Sequence, residues 1–118
     1  MDTVLVVDDN LDVAKYTAMG LEALGQPARG VVAAEHAIRE LGTDPSIAFV
    51  VADWKMPDVN GDELLTTVQT LYPLVGVALM TAYPIPPQQL TQWCFPVLRK
   101  PFKLQELASL CSKYTAPS

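Results

Sequence analysis

Asp53 closes the apolar run Ile47-Ala48-Phe49-Val50-Val51-Ala52, and the acidic pair Asp8-Asp9 closes another, Val4-Leu5-Val6-Val7. Thr81 ends a third run, Val75 to Met80, and Lys100 ends a fourth, Phe95 to Arg99. Continuous apolar runs of this length suit strands buried on both faces of a parallel sheet. The carboxyl ends of such strands share one edge, where ligands bind. Three carboxylates, a hydroxyl and an ammonium on that edge suit a divalent cation and a phosphoryl group. A carboxylate can attack phosphorus and hold the group as an acyl phosphate, provided a cation neutralises the repulsion between them. Mg²⁺ prefers oxygen ligands and commonly takes one or two carboxylates together with waters and phosphate oxygens.

In order along the chain stand VLVVDDN, VVADWKMPDVNG, LMTAY and LRKPF. Each piece alone is weak, but the four together resemble the receiver domain of two-component response regulators, from Val4 to about Tyr114. The resemblance implies that Asp53 is the phosphoacceptor. It implies that Asp9 binds Mg²⁺ directly, that Asp8 does so mostly through water, and that the backbone carbonyl of Lys55 completes the protein ligands. Thr81 would donate its hydroxyl to a phosphoryl oxygen, and Lys100 would supply a mobile counter-charge. A cis Lys100–Pro101 bond and the strand order 2-1-3-4-5 are likewise implied by the family. So are the partners: a histidine kinase or histidine phosphotransfer domain as donor, and a downstream effector protein or domain. Such a chain is no enzyme in the usual sense, since it assists only its own phosphorylation and dephosphorylation.

The chain departs from the family pattern in three places. The position three before the lysine, usually Tyr or Phe, is Val97, and Phe95 lies two residues further back on the same strand face. The interval from Thr81 to Lys100 is short and holds Pro84, Pro86, Pro87 and Pro96. Pro87 can open a helix at its first turn, which leaves a stub over Gln88 to Cys94. Asn60 stands where Asp often precedes the glycine, a mild change because both residues suit turns.

The elements that must position these groups follow from patterning. Besides the three clear runs, Ala28–Val32 and Phe95–Arg99 read as weaker strands, the last an edge strand because Pro96 lacks a ladder donor. Apolar residues at helical spacing mark four helices. Their stripes are Val13, Tyr16, Thr17, Leu21 and Leu24; Ala34, Ala37, Ile38 and Leu41; Leu64, Leu65, Val68, Leu71 and Tyr72; and Leu104, Leu107, Ala108 and Cys111. Gly25 and Gly42 read as helix stops, and Pro73 closely follows the third helix. Strand–helix alternation predicts an α/β, doubly wound, flavodoxin-like three-layer sandwich on a five-stranded parallel sheet, with a shortened or irregular fourth helix.

With 118 residues, half of them hydrophobic and 18% charged, the chain reads as one folded domain over 1–118, with Thr115 to Ser118 a loose tail. A net charge of −5 argues against direct nucleic-acid binding. No apolar run reaches the roughly 20 residues of a membrane span, and Met1-Asp2-Thr3 lacks a basic leader. The expectation is a cytoplasmic protein with no membrane partner, in which Cys94 and Cys111 are free thiols. His36 is expected on an exposed helix face, Trp93 and Phe95 in packing, Trp54 as a surface aromatic beside the site, and Arg99 opposite Lys100.

Two other functions fit parts of the sequence. An aspartate-nucleophile phosphohydrolase would use similar chemistry, but usually has a second acid two residues after its nucleophile, where this chain has Lys55. An interaction module could keep the fold without being phosphorylated, and Val97 with the short fourth helix leans that way.

Overall fold

The computed structural model describes residues 1–115. The chain runs β1 (Thr3–Val7), α1 (Leu11–Ala23), β2 (Ala28–Val31), α2 (Ala34–Thr43), β3 (Ile47–Asp53) and α3 (Gly61–Leu71). It continues through β4 (Gly76–Thr81), α4 (Pro87–Gln92), β5 (Val97–Arg99) and α5 (Leu104–Ser112). All pairings are parallel and the sheet order is β2-β1-β3-β4-β5. The expected sandwich and strand order are therefore present, with β5 at an edge and Pro96 just outside it. Among the described residues no helix is long and apolar enough to cross a membrane.

Alternation along β1 and β3 builds two cores. Leu5, Val7, Val50 and Ala52 pack against α2 and α3, whereas Val4, Val6, Phe49 and Val51 pack against α1 and α5. A register slip at Ala48 lets Ile47 and Phe49 face opposite layers. Each fully buried Val, Leu or Phe contributes about 1.5–3 kcal/mol relative to exposure, so β1, β3 and β4, almost wholly buried, form a rigid floor under their carboxyl ends.

The helices differ from expectation in three respects. On α1 the buried residues are Ala14, Ala18 and Leu21, while Tyr16 and Leu24 are exposed. The helix lies so close to β2 that a Cβ on Gly30 would sit 2.8 Å from the carbonyl oxygen of Ala14. Only small side chains fit that contact, and the larger Val13 and Thr17 are half-buried at its flank. Gly42 does not stop α2, which runs on through Thr43. Gly25, at φ +87°, does lie just past α1, and its amide bonds the carbonyl of Glu22. Leu71, counted in the α3 stripe, is exposed.

α4 is a stub of six residues opened by Pro87, with no buried residue. The edge strand β2 is tied to α2 by Arg29, which bonds Glu40 at 2.9 Å and Asp44 at 2.6 Å. Hydrogen bonds from Ser46, then from Arg29, lower the Asp44 carboxyl to about 2. Its contribution to stability is present above the ordinary carboxylate value and is lost as pH falls towards the lowered one. Both cysteines are free, Cys94 exposed and Cys111 buried. His36 is exposed, and so is Arg99. Of the expected tail, Thr115 still bonds the carbonyl of Cys111 at 3.1 Å; residues 116–118 lie outside the described part.

Candidate functional site

Chain order and sheet order diverge between β1 and β3, because β2 lies on the outer side of β1. This switch point places the ends of β1 and β3 side by side, with Val7 opposite Ala52. β4 lies next to β3 and β5 next to β4. The expected groups meet at this edge. Asp8 follows β1, Asp53 and Thr81 are the last residues of β3 and β4, and Lys100 follows β5.

Asp8 is buried, and its two oxygens have separate roles. Oδ1 accepts the amide of Asn10 at 2.9 Å, while Oδ2 accepts Lys100 Nζ at 3.0 Å. Asn10 then caps α1 by accepting the amides of Asp12 and Val13. The turn is thus both a helix start and part of the site. Asp9 beside it is exposed. One oxygen from each of Asp8, Asp9 and Asp53 lies within 4.8 Å of the others. An all-oxygen, anionic donor set of this size fits a small hard cation such as Mg²⁺.

Lys100 Nζ also lies 3.4 Å from Asp53 Oδ1, so one ammonium bridges two of the three acids. Its backbone amide bonds the carbonyl of Thr81 at 2.8 Å, which registers the lysine against β4. The bond from Lys100 to Pro101 is cis, as the family pattern implies. Thr81 is fully buried, and its hydroxyl oxygen accepts the amide of Tyr83 at 2.9 Å, leaving its proton free to donate.

Burial raises the Asp53 carboxyl above its ordinary value; Lys100 opposes the rise and Asp8 adds to it. A carboxylate raised in the fold costs stability while charged, and that cost disappears as pH falls through its folded value. Asp53→Asn is therefore expected to be more stable than the parent at neutral pH, with the gap shrinking as the parent's carboxyl protonates. Denaturant unfolding at neutral pH and at about pH 4, near the ordinary Asp value, checks this. A gap that stays constant or widens in acid would contradict it.

Trp54 is not a surface aromatic. It is buried, because its ring meets Trp93 edge-on at 5.3 Å and Trp93 stacks on Phe95 at 5.5 Å. Trp93 and Phe95 are thus packing residues, as expected. The backbone amide of Trp54 is bonded to Asp53 Oδ1 at 3.0 Å and to the carbonyl of Met80 at 3.1 Å. Lys55 lays its ammonium over the Trp54 ring, 4.0 Å from the centroid. Val97 is half-buried against the α2–α3 core, with Phe95 and Trp93 packed on the same side. One site-adjacent residue has no local signature: Asp58, whose Oδ2 accepts the amide of Ala34 at 3.0 Å, far back in the chain.

Comparison with known proteins agrees with this geometry. The family described as response regulator receiver domain matches residues 4–112. Response regulator protein FleR of Pseudomonas aeruginosa is 30% identical over 114 residues, covering 94% of this chain and 24% of FleR. The chain therefore spans about a quarter of the length of that curated relative. A receiver domain protein from Clostridium thermocellum superposes with a TM-score of 0.81 at 23% identity, over 96% of this chain and 93% of that one. The response regulator TrrA of Thermotoga maritima, solved in complex with Mg²⁺ and BeF, gives 0.83 at 24% identity, over 96% and 98%. At these identities the structural matches speak to fold.

Proposed function

The chain belongs to the response regulator receiver domain family of two-component signalling, and from that premise we propose that it is a phosphorylation-dependent switch whose phosphoacceptor is Asp53. The observation that carries the reading is the convergence of Asp8, Asp53, Thr81 and Lys100, with Asp9 alongside, on one sheet edge. A phosphohistidine on a partner histidine kinase or phosphotransfer domain approaches from the open side. An Asp53 oxygen attacks phosphorus, the P–N bond breaks, and its electron pair leaves with the imidazole. Asp8, Asp9, Asp53 and the Lys55 carbonyl would hold Mg²⁺, which when bound would neutralise charge on the phosphoryl oxygens. Lys100 leaves Asp8 to pair with the new phosphate, and Thr81 donates to another of its oxygens.

Two features favour this reading over its rivals. A phosphohydrolase lacks its usual second acid, since Lys55 stands there and leans on Trp54. Against a module indifferent to phosphate stands the joint presence, beside the three acids, of a lysine bridging two of them and a buried threonine hydroxyl with its proton free. Incubating the purified chain with acetyl phosphate and Mg²⁺ tests the proposal by intact mass: one acyl phosphate per chain supports it, and none rejects it. Downstream, the changed surface would engage an effector protein or domain, with no direct nucleic-acid contact by this acidic domain.

The acyl phosphate is expected to be comparatively long-lived. Lys55 and Tyr83, two residues after Asp53 and Thr81, flank the path of attacking water with bulky side chains. Lys55→Ala or Tyr83→Ala should shorten the half-life several-fold, roughly 1 kcal/mol of barrier. If neither variant decays faster than the parent, shielding by these side chains is wrong.

A further inference from the structure

Between the end of β3 and the start of α3, the chain makes an exposed loop that carries the Lys55 carbonyl. Its base is closed by the Gly61 amide on the carbonyl of Trp54 at 2.7 Å, and Met56 is buried in the core. Beyond that, among the described residues, Lys55 to Val59 make one hydrogen bond: Asp58 Oδ2 accepting the amide of Ala34 at 3.0 Å. The bond also serves the other partner. α2 begins after Ala33, which offers no side-chain cap. Ala34 is the first residue of that helix, so its amide has no acceptor within it. A carboxylate there also suits the positive end of the helix dipole.

We propose that Asp58 is a positioning residue for the metal site, holding the loop to α2 and so restricting the positions open to the Lys55 carbonyl two residues after Asp53. The inference rests on the metal-binding reading given above. Mg²⁺ demands near-ideal octahedral geometry at short range. A carbonyl on a loop free at its crest would have to be ordered at the expense of binding, which weakens the apparent affinity. The linkage is reciprocal. A cation that fixes Lys55 must also strengthen the bond between Asp58 and Ala34, carrying the state of the site to the start of α2.

Mg²⁺ titration followed by tryptophan fluorescence, on the parent and on Asp58→Ala, Asp58→Asn and Asp9→Ala, separates the possibilities. Asp58→Ala should bind about tenfold more weakly, the lower end of what loss of a supporting contact costs a metal site. Asp58→Asn should stay near the parent, because an amide oxygen still accepts from Ala34. Amide exchange gives a second measurement that needs no variant: Mg²⁺ should slow exchange at Ala34 in the parent. Parent-like binding by Asp58→Ala alongside weakened Asp9→Ala overturns this role while leaving the metal site standing, as does Ala34 exchange unmoved by saturating Mg²⁺. Equal binding by all four proteins overturns the metal site and this inference with it.

Discussion

Asp53→Asn should take up no phosphoryl group from acetyl phosphate and Mg²⁺ under conditions in which the parent gains one. The effect is expected to be all-or-none because no other carboxylate combines the same neighbours. Asp8 already gives one oxygen to the Asn10 amide and the other to Lys100, and Asp9 is exposed and, among the described residues, paired with no ammonium. Asn preserves shape and the bond from the Trp54 amide, so the variant should fold while lacking the nucleophile. Intact mass before and after mild alkali, which hydrolyses acyl phosphates, reads the result. Equal modification of the two proteins would remove Asp53 from its role.

Gly61→Ala should destabilise the fold by about 3 kcal/mol, at or above the upper end of ordinary overpacking. A Cβ at this position would collide with the carbonyl oxygen of Asp53, while lying 2.8 Å from its carbonyl carbon and 3.0 Å from Leu79 Cδ1. Leu79 can shift; the backbone of β3 cannot without dragging Asp53 with it. Against a typical total of about 5–15 kcal/mol, the loss should show as a clear drop in denaturant midpoint. Leu71→Ala, on the exposed side of the same helix, serves as control and should change stability by no more than about 0.5 kcal/mol. A Gly61→Ala midpoint equal to that of the parent would mean that β3 and α3 separate at no cost.

What could be read from the chain depended on how local the cause was. β1, β3 and β4 were legible because strands covered on both faces are written as unbroken apolar runs, and the shortened α4 because Pro87 sets its first turn. The buried face of α1 was misread because large apolar side chains were given more weight than Ala14 and Ala18. A close helix–strand contact selects for the opposite. Gly42 misled because a glycine near a helix end costs only about 1 kcal/mol, which the packing of Leu41 outweighs. That Asp8, Asp9, Asp53, Thr81 and Lys100 meet on one edge was legible through their places at strand ends. Asp58 was not, since its partner Ala34 belongs to another element, and neither was the burial of Trp54, which depends on Trp93 arriving from beyond α4.

No residue of Pro87–Gln92 is buried. Substitutions at exposed positions away from special contacts usually change stability by no more than about 0.5 kcal/mol, so the stub can alter its side chains with little effect on folding. The cluster of acids and Lys100 stands on the sheet, apart from that freedom. Over generations such a division lets this exposed surface drift while the cluster stays put. Duplicated copies of the chain could diverge at the five exposed residues of this stub, and each would inherit the edge that carries Asp8, Asp9, Asp53, Thr81 and Lys100 intact.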